Sequence, residues 1–144
     1  MRIVIIGCGK VGEALVQGLV MEGHDITVMD NVSAHVENIL GQYDVSGYCG
    51  SALSYADLTE AGVVKSDLTI AVTQSDEINM LCCAMAKKMG SKYTCARVRN
   101  PELTGNVKLI QKDLGVDMTV NPDMATAKAI YNIISLPSAK NVET

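Results

Sequence analysis

An apolar run, Ile3-Val4-Ile5-Ile6, passes without a break into Gly7-Cys8-Gly9-Lys10-Val11-Gly12, and the residues after it, Glu13 to Val20, read as a helix. Few chain geometries accept that order. A short apolar run bounded by glycine suits a strand buried on both faces. Glycines spaced Gly-x-Gly-x-x-Gly suit a sharp turn from that strand into a closely packed helix. Gly7 permits the turn, Gly9 lacks the Cβ that would hold the backbone away from a pyrophosphate, and Gly12 lets the helix approach the sheet. The N–H groups at the helix start would then receive the pyrophosphate.

A second strand signal, His24 to Met29, ends at Asp30, roughly 20 residues beyond the loop, where an acid is expected to hydrogen-bond an adenosine ribose. A carboxylate there repels a 2′-phosphate, and no Arg or Lys occurs in Asn31-Val32-Ser33-Ala34. The reading favours NAD or an adenine nucleotide over NADP. Lys10, inside the loop, can add positive charge at the phosphates, or serve only as a solvated helix-start side chain. Cys8 occupies a helix start, where a thiolate would be favoured, although a small turn residue is the simpler role.

The length of 144 residues and 48% hydrophobic content fit a single domain with a sizeable core. Strand and helix signals alternate throughout. Strands are expected at Arg2–Ile6, Ile26–Met29, Asp44–Tyr48, Leu68–Val72, Tyr93–Val98 and Asp117–Val120. Helices are expected at Lys10–Met21, Ser33–Leu40, Ala52–Ala61, Asp76–Met89, Pro101–Leu114 and Pro122–Leu136. Gly23, Gly41, Gly62, Gly90 and Gly115 follow helices, where left-handed caps are expected. Right-handed crossovers turn this order into an α/β fold, a Rossmann-like doubly wound parallel sheet of order 3-2-1-4-5-6, with ligand bound beyond the strand C-termini. Residues 1–136 form the nucleotide-binding domain, and 137–144 a tail or linker to a missing C-terminal domain.

Other strand ends complete the expected crevice. Gly50 permits close backbone approach and Ser51 offers a hydroxyl to an adenine edge, or caps the next helix. Thr73 and Gln74 follow the fourth strand and face the distal half of a dinucleotide. Asp76 and Glu77 complement the dipole of the helix they open and would repel an anion there. Of Arg97 and Arg99, separated by Val98, one is expected at the crevice or a neighbouring subunit and the other in solvent.

The net charge of −4, with only 12 Lys and Arg, gives no footprint for nucleic acid. No apolar run approaches the roughly 20 residues of a membrane span, and no leader pattern is seen, so a cytoplasmic protein is expected. The odd count of five cysteines, without a C-x-x-C pair, suits reduced thiols, and Cys82 and Cys83 point about 100° apart on a helix, against a shared metal. Neither His24, before the second strand, nor His35, on a helix surface, is a convincing base. No Tyr-x-x-x-Lys occurs, since Tyr43, Tyr48, Tyr55, Tyr93 and Tyr131 lack a lysine four residues on. The site is expected to bind rather than react, so the chain is read as no enzyme. The competing class is a small NAD-dependent oxidoreductase, or the cofactor-binding half of one.

The loop Gly7 to Gly12, Asp30, Asp57-Leu58-Thr59-Glu60-Ala61-Gly62, Ala71-Val72-Thr73-Gln74-Ser75-Asp76-Glu77-Ile78-Asn79-Met80 and Ala96-Arg97-Val98-Arg99 together resemble the N-terminal domain of the TrkA proteins. These are the nucleotide-binding regulatory subunits of potassium uptake systems, also called KTN or RCK domains. The resemblance covers essentially the whole chain. It implies binding of NAD(H), or of ATP and ADP, assembly as homodimers or higher rings, and gating of an integral membrane potassium transporter from its cytoplasmic face. Carried over by position, Gly7, Cys8, Gly9, Lys10, Val11 and Gly12 form the phosphate loop, Asp30 the ribose carboxylate, and Thr73, Gln74 and Arg97 complete the pocket. Family members commonly carry an acidic pair after the third strand, and Cys49-Gly50-Ser51 departs from it. Most also continue into a smaller ligand-binding domain, so a stop at Thr144 leaves either an excised fragment or a chain that relies on partners. The apolar residues Met124, Ala127, Ile130, Tyr131 and Ile134 are a candidate dimer surface, or pack on the chain's own sheet.

Overall fold

A computed structural model describes residues 1–121. Six strands, β1 (Arg2–Ile6), β2 (Asp25–Asp30), β3 (Ser46–Cys49), β4 (Leu68–Ala71), β5 (Tyr93–Arg97) and β6 (Met118–Val120), form one sheet in the order β3-β2-β1-β4-β5-β6. Every pairing is parallel. The Rossmann-like doubly wound architecture is therefore present, with β1 and β4 adjacent at the switch point.

Central strands of such a sheet lose both faces to helices, so their sequences must be apolar throughout. Ile3 to Ile6 and Leu68 to Ala71 are all buried. The one polar residue in β4, Thr69, is satisfied by the hydroxyls of Ser66 and Ser91, at 3.1 and 2.8 Å. Alternation along the strands splits the core in two. Ile3, Ile5, Ile26, Val28, Leu68 and Ile70 pack with α1 (Lys10–Val20) and α2 (Ser33–Leu40). Val4, Ile6, Met29, Ala71 and Ala96 pack with α3 (Tyr55–Glu60), the short 3-10 turn Val63–Lys65 and α4 (Asp76–Met89). Leu103 and Leu114 of α5 (Pro101–Leu114) join that second side.

Helix starts follow their capping residues. Ser54, Ser75 and Asn100 accept from the N–H groups of Asp57, Ile78 and Glu102 at α3, α4 and α5, and Pro101 opens α5. Two expectations are corrected. The third helix starts at Tyr55 rather than Ala52, because Ser54 takes the cap and Ser51 instead closes a small turn by accepting from Leu53 N at 3.3 Å. Gly41 has φ −73°, unlike Gly23, Gly62, Gly90 and Gly115, whose φ is positive. After α2 the chain keeps winding, with Tyr43 N–H donating to Ile39 O, so no left-handed residue is required there. The expected helix Pro122–Leu136, its apolar face and the tail lie outside the described residues.

Candidate nucleotide-binding site

The strand C-termini open on one side of the sheet, and hydrogen bonds and close packing tie five of them into a continuous rim. At its centre Gly7 has φ +112°, a conformation that L side chains avoid, and a Cβ there would meet the Val72–Thr73 peptide at 2.9 Å. Gly7 N–H donates to Met29 O at 2.8 Å, which fixes the loop against β2. A Cβ on Gly12 would overlap the Gly7 carbonyl oxygen. Gly9 differs, since a Cβ there would meet no atom of the described residues within 4 Å. No described residue packs against its bare backbone, which suits close approach of a ligand. Lys10 is exposed in the first turn of α1, while Val11 is half-buried against the core.

Asp30 docks on this loop. Its Oδ2 accepts from Cys8 N–H at 2.8 Å and its Oδ1 from Val32 N–H at 2.8 Å, with the side chain 12% exposed. A carboxylate has about four acceptor positions, so capacity remains for a ligand hydroxyl. His35, read from the sequence as a surface residue, places Nδ1 3.4 Å from Asp30 Oδ1. Its position in the first turn of α2, just past β2, was the available signal.

Cys8 is corrected. The thiol is buried, and burial first, then the Asp30 carboxylate, push its pKa up to about 12. The helix-start preference for a thiolate is overruled, and Cys8 serves as a small apolar side chain with a useful N–H. All five cysteines are free thiols, and no cluster suited to a metal ion occurs among the described residues.

On one flank Gly50 N–H donates to Asp30 O at 3.0 Å, bringing Gly50 and Ser51 beside the acid. On the other, Thr73 and Arg97 meet, Arg97 Nη1 donating to Thr73 O at 3.2 Å. Arg97 is half-buried and Arg99 exposed, yet both reach the end of β4, Arg99 Nη2 donating to Gln74 O at 3.0 Å. The Gln74 side chain is exposed and joins the rim only through its carbonyl.

Two site-building residues escaped sequence reasoning. Asn79, fully buried, accepts from Thr73 N–H at 2.9 Å and donates to the carbonyls of Thr73 and Arg97 at 3.1 and 2.9 Å. In the sequence it stands within the Ala71 to Met80 segment that carries the resemblance, with no role of its own read there. Asp76, read as a dipole partner, is also buried, and accepts from Arg99 and Asn100 N–H at 3.1 and 2.9 Å. It clamps the β5–α5 junction onto α4.

The TrkA-N domain family model matches residues 3–122, most of the chain. The chain belongs to the TrkA-N domain family. A relative of this TrkA-N chain, the Trk system potassium uptake protein TrkA of Haemophilus influenzae, is 37% identical over 145 residues, covering 99% of this chain and 32% of that protein. The chain therefore spans about a third of that relative's length. Among solved structures, the TrkA-N domain of the inner membrane protein ybaL from Escherichia coli superposes with a TM-score of 0.75 at 15% identity, covering 92% of this chain and 96% of that one. The GsuK channel bound to NAD superposes at 0.70 and 19% identity, covering 83% of this chain and 21% of that one. These two likenesses show the shared fold. No helix among the described residues of this TrkA-N domain is long and apolar enough to cross a membrane.

Proposed function

We propose that this chain is the nucleotide-binding regulatory domain of a potassium uptake system. It binds NAD(H), or ATP and ADP, in the crevice above β1 and β4. Homodimers or larger rings of such domains sit on an integral membrane potassium transporter at its cytoplasmic face. Residues 1–136 are the binding unit, and 137–144 a tail or a linker to a C-terminal domain.

The observation that carries this reading is the carboxylate of Asp30 held on the glycine loop at 2.8 Å, beside the open backbone of Gly9. The ends of β1 and β2 together thus offer N–H groups for a pyrophosphate and an acceptor for an adenosine ribose. Lys10 adds charge at the phosphates, Gly50 and Ser51 flank the adenine, and Thr73, Gln74 and Arg97 border the distal half. Asp30 disfavours a ribose 2′-phosphate through like charge. The potassium uptake name of the Haemophilus influenzae relative and the NAD bound to the GsuK channel support the assignment. Among the described residues no group at the Thr73, Gln74 and Arg97 end is an imidazole, thiol or phenol, which favours a regulatory role over an enzymatic one. Nucleotide acts by linkage, shifting the assembly only by its difference in affinity for two conformations.

Calorimetric titration with NAD, NADH, ATP, ADP and NADPH, with light scattering on the same samples, tests the proposal. Binding of NADH or ATP, weaker binding of NADPH and a ligand-dependent change in assembly are expected. Asp30→Ala should weaken NADH by about tenfold or more, the loss of one charged hydrogen bond. Failure of every nucleotide to bind would reduce the glycine loop to architecture, and steady oxidation of NADH with a small carbonyl substrate would turn the reading toward an oxidoreductase.

A further inference from the structure

The third strand ends at Cys49, and the five residues between it and α3 would be free to sample many conformations if only Gly50 N–H held them. Ser51 closes a turn there, accepting from Leu53 N–H at 3.3 Å and Ser54 N–H at 3.1 Å, and one side chain ties that turn to α3. Asp57, in the first turn of α3, turns back along the loop and accepts from Ser51 N–H at 2.8 Å through Oδ2. Its Oδ1 accepts from Tyr48 Oη at 3.2 Å, across from the end of β3. Burial first, then this bond to the carboxylate, raises the pKa of Tyr48.

Sequence spacing suggests a different geometry. Ser54 and Asp57 stand at the Ser-x-x-acid spacing of a capping box, in which the acid would return to the N–H of the cap residue. Only half of that box forms. Asp57 N–H donates to Ser54 Oγ at 3.2 Å, while the carboxylate bypasses Ser54 for Ser51 and Tyr48. Gly50 makes room for it, since a Cβ at Gly50 would lie 2.8 Å from the Asp57 carboxyl carbon.

We infer that Asp57 is a positioning residue for the adenosine end of the site, fixing the Gly50–Ser51 peptide beside Asp30 so that the Ser51 hydroxyl meets the base at a set place. This rests on the nucleotide-binding reading above. Asp57 touches no ligand itself. It acts by holding a short loop in one conformation before the nucleotide arrives, which removes an ordering cost from binding.

The test compares dissociation constants for ATP and for ITP, which differ only at the edge of the base, in the wild-type chain and in four variants. In Asp57→Ala, ATP should bind about tenfold more weakly, the cost of roughly one lost charged hydrogen bond, and the ITP to ATP ratio should fall toward one. Gly50→Ala, which pushes a methyl into the Asp57 carboxyl, should reproduce both changes without altering Asp57. Asp57→Asn, which keeps an acceptor for Ser51 N–H, should restore affinity and the ratio to within about threefold, as should Tyr48→Phe, which spares the Ser51 bond. A defect of folding alone would weaken both nucleotides equally and leave their ratio unchanged. Wild-type affinity and ratio in Asp57→Ala would overturn the positioning role and leave the function standing, whereas no nucleotide binding by the wild-type chain would overturn both.

Discussion

At the start of a helix a thiol is ordinarily drawn toward its thiolate, yet Cys8, only 5% exposed, is pushed the other way. Desolvation in the core outweighs the dipole, and Asp30 adds repulsion. Cys82 and Cys95 are likewise raised to about 12, and Cys83 is raised as well. The sign of the linkage follows. A thiol whose folded pKa lies above its ordinary value near 9.0 contributes stability that is complete below pH 9 and is lost as pH rises toward 12. The unfolding midpoint should therefore fall steeply between pH 9 and 12. Below that range, a thiol reagent at pH 8 should label one site quickly, the exposed Cys49, and reach all five cysteines only after unfolding. Rapid labelling of Cys8 in the native chain would contradict the burial described here.

Helices whose ends carry unambiguous punctuation were legible from the sequence. The bounds of α2, α4 and α5 match the expected Ser33–Leu40, Asp76–Met89 and Pro101–Leu114, with side-chain caps from Ser75 and Asn100 at α4 and α5 and apolar spacing alone at α2. For α3 the cap signals conflict, since Ser51 and Ser54 are both capable caps, and Ser54 takes the role by accepting from Asp57 N–H. The glycine loop and Asp30 were legible because their demands are on the backbone, which a local motif records. The bond of Asn79 to Arg97 O was not, because it joins segments that only the sheet order brings together, while the Asp57 and His35–Asp30 contacts are local and turn on side-chain direction that spacing does not record. The glycines of α1 supply an element-scale test. Gly12→Ala must overlap the Gly7 carbonyl and should destabilise by about 3 kcal/mol, the upper end of overpacking costs. Gly18→Ala meets no atom among the described residues within 4 Å and should stabilise by about 0.5–1 kcal/mol as a helix-interior replacement. Chemical denaturation of the two variants checks both signs.

Across the molecule, the rim links β3 to β5 by contacts running from Gly50 through Asp30, Cys8 and Gly7 to Thr73 and Arg97. Asn79 is the fastening on the distal side, and its removal leaves the Thr73 N–H and the Arg97 carbonyl without it. Asn79→Ala should cost about 2–3 kcal/mol, as expected for buried polar groups left unsatisfied. It should also speed amide exchange after both β4 and β5, read by hydrogen exchange with mass detection. Faster exchange after β4 alone would show that the two strand ends are not fastened together.

The attachment of Asp30 to the N–H groups of Cys8 and Val32 has a kinetic consequence. Because the acid is already seated, an arriving nucleotide has no side chain to wait for, and association at this end should resemble a key entering a rigid lock. Whatever slow step follows, such as a rearrangement between neighbouring copies, would then be visible as a separate phase, clear of the encounter itself.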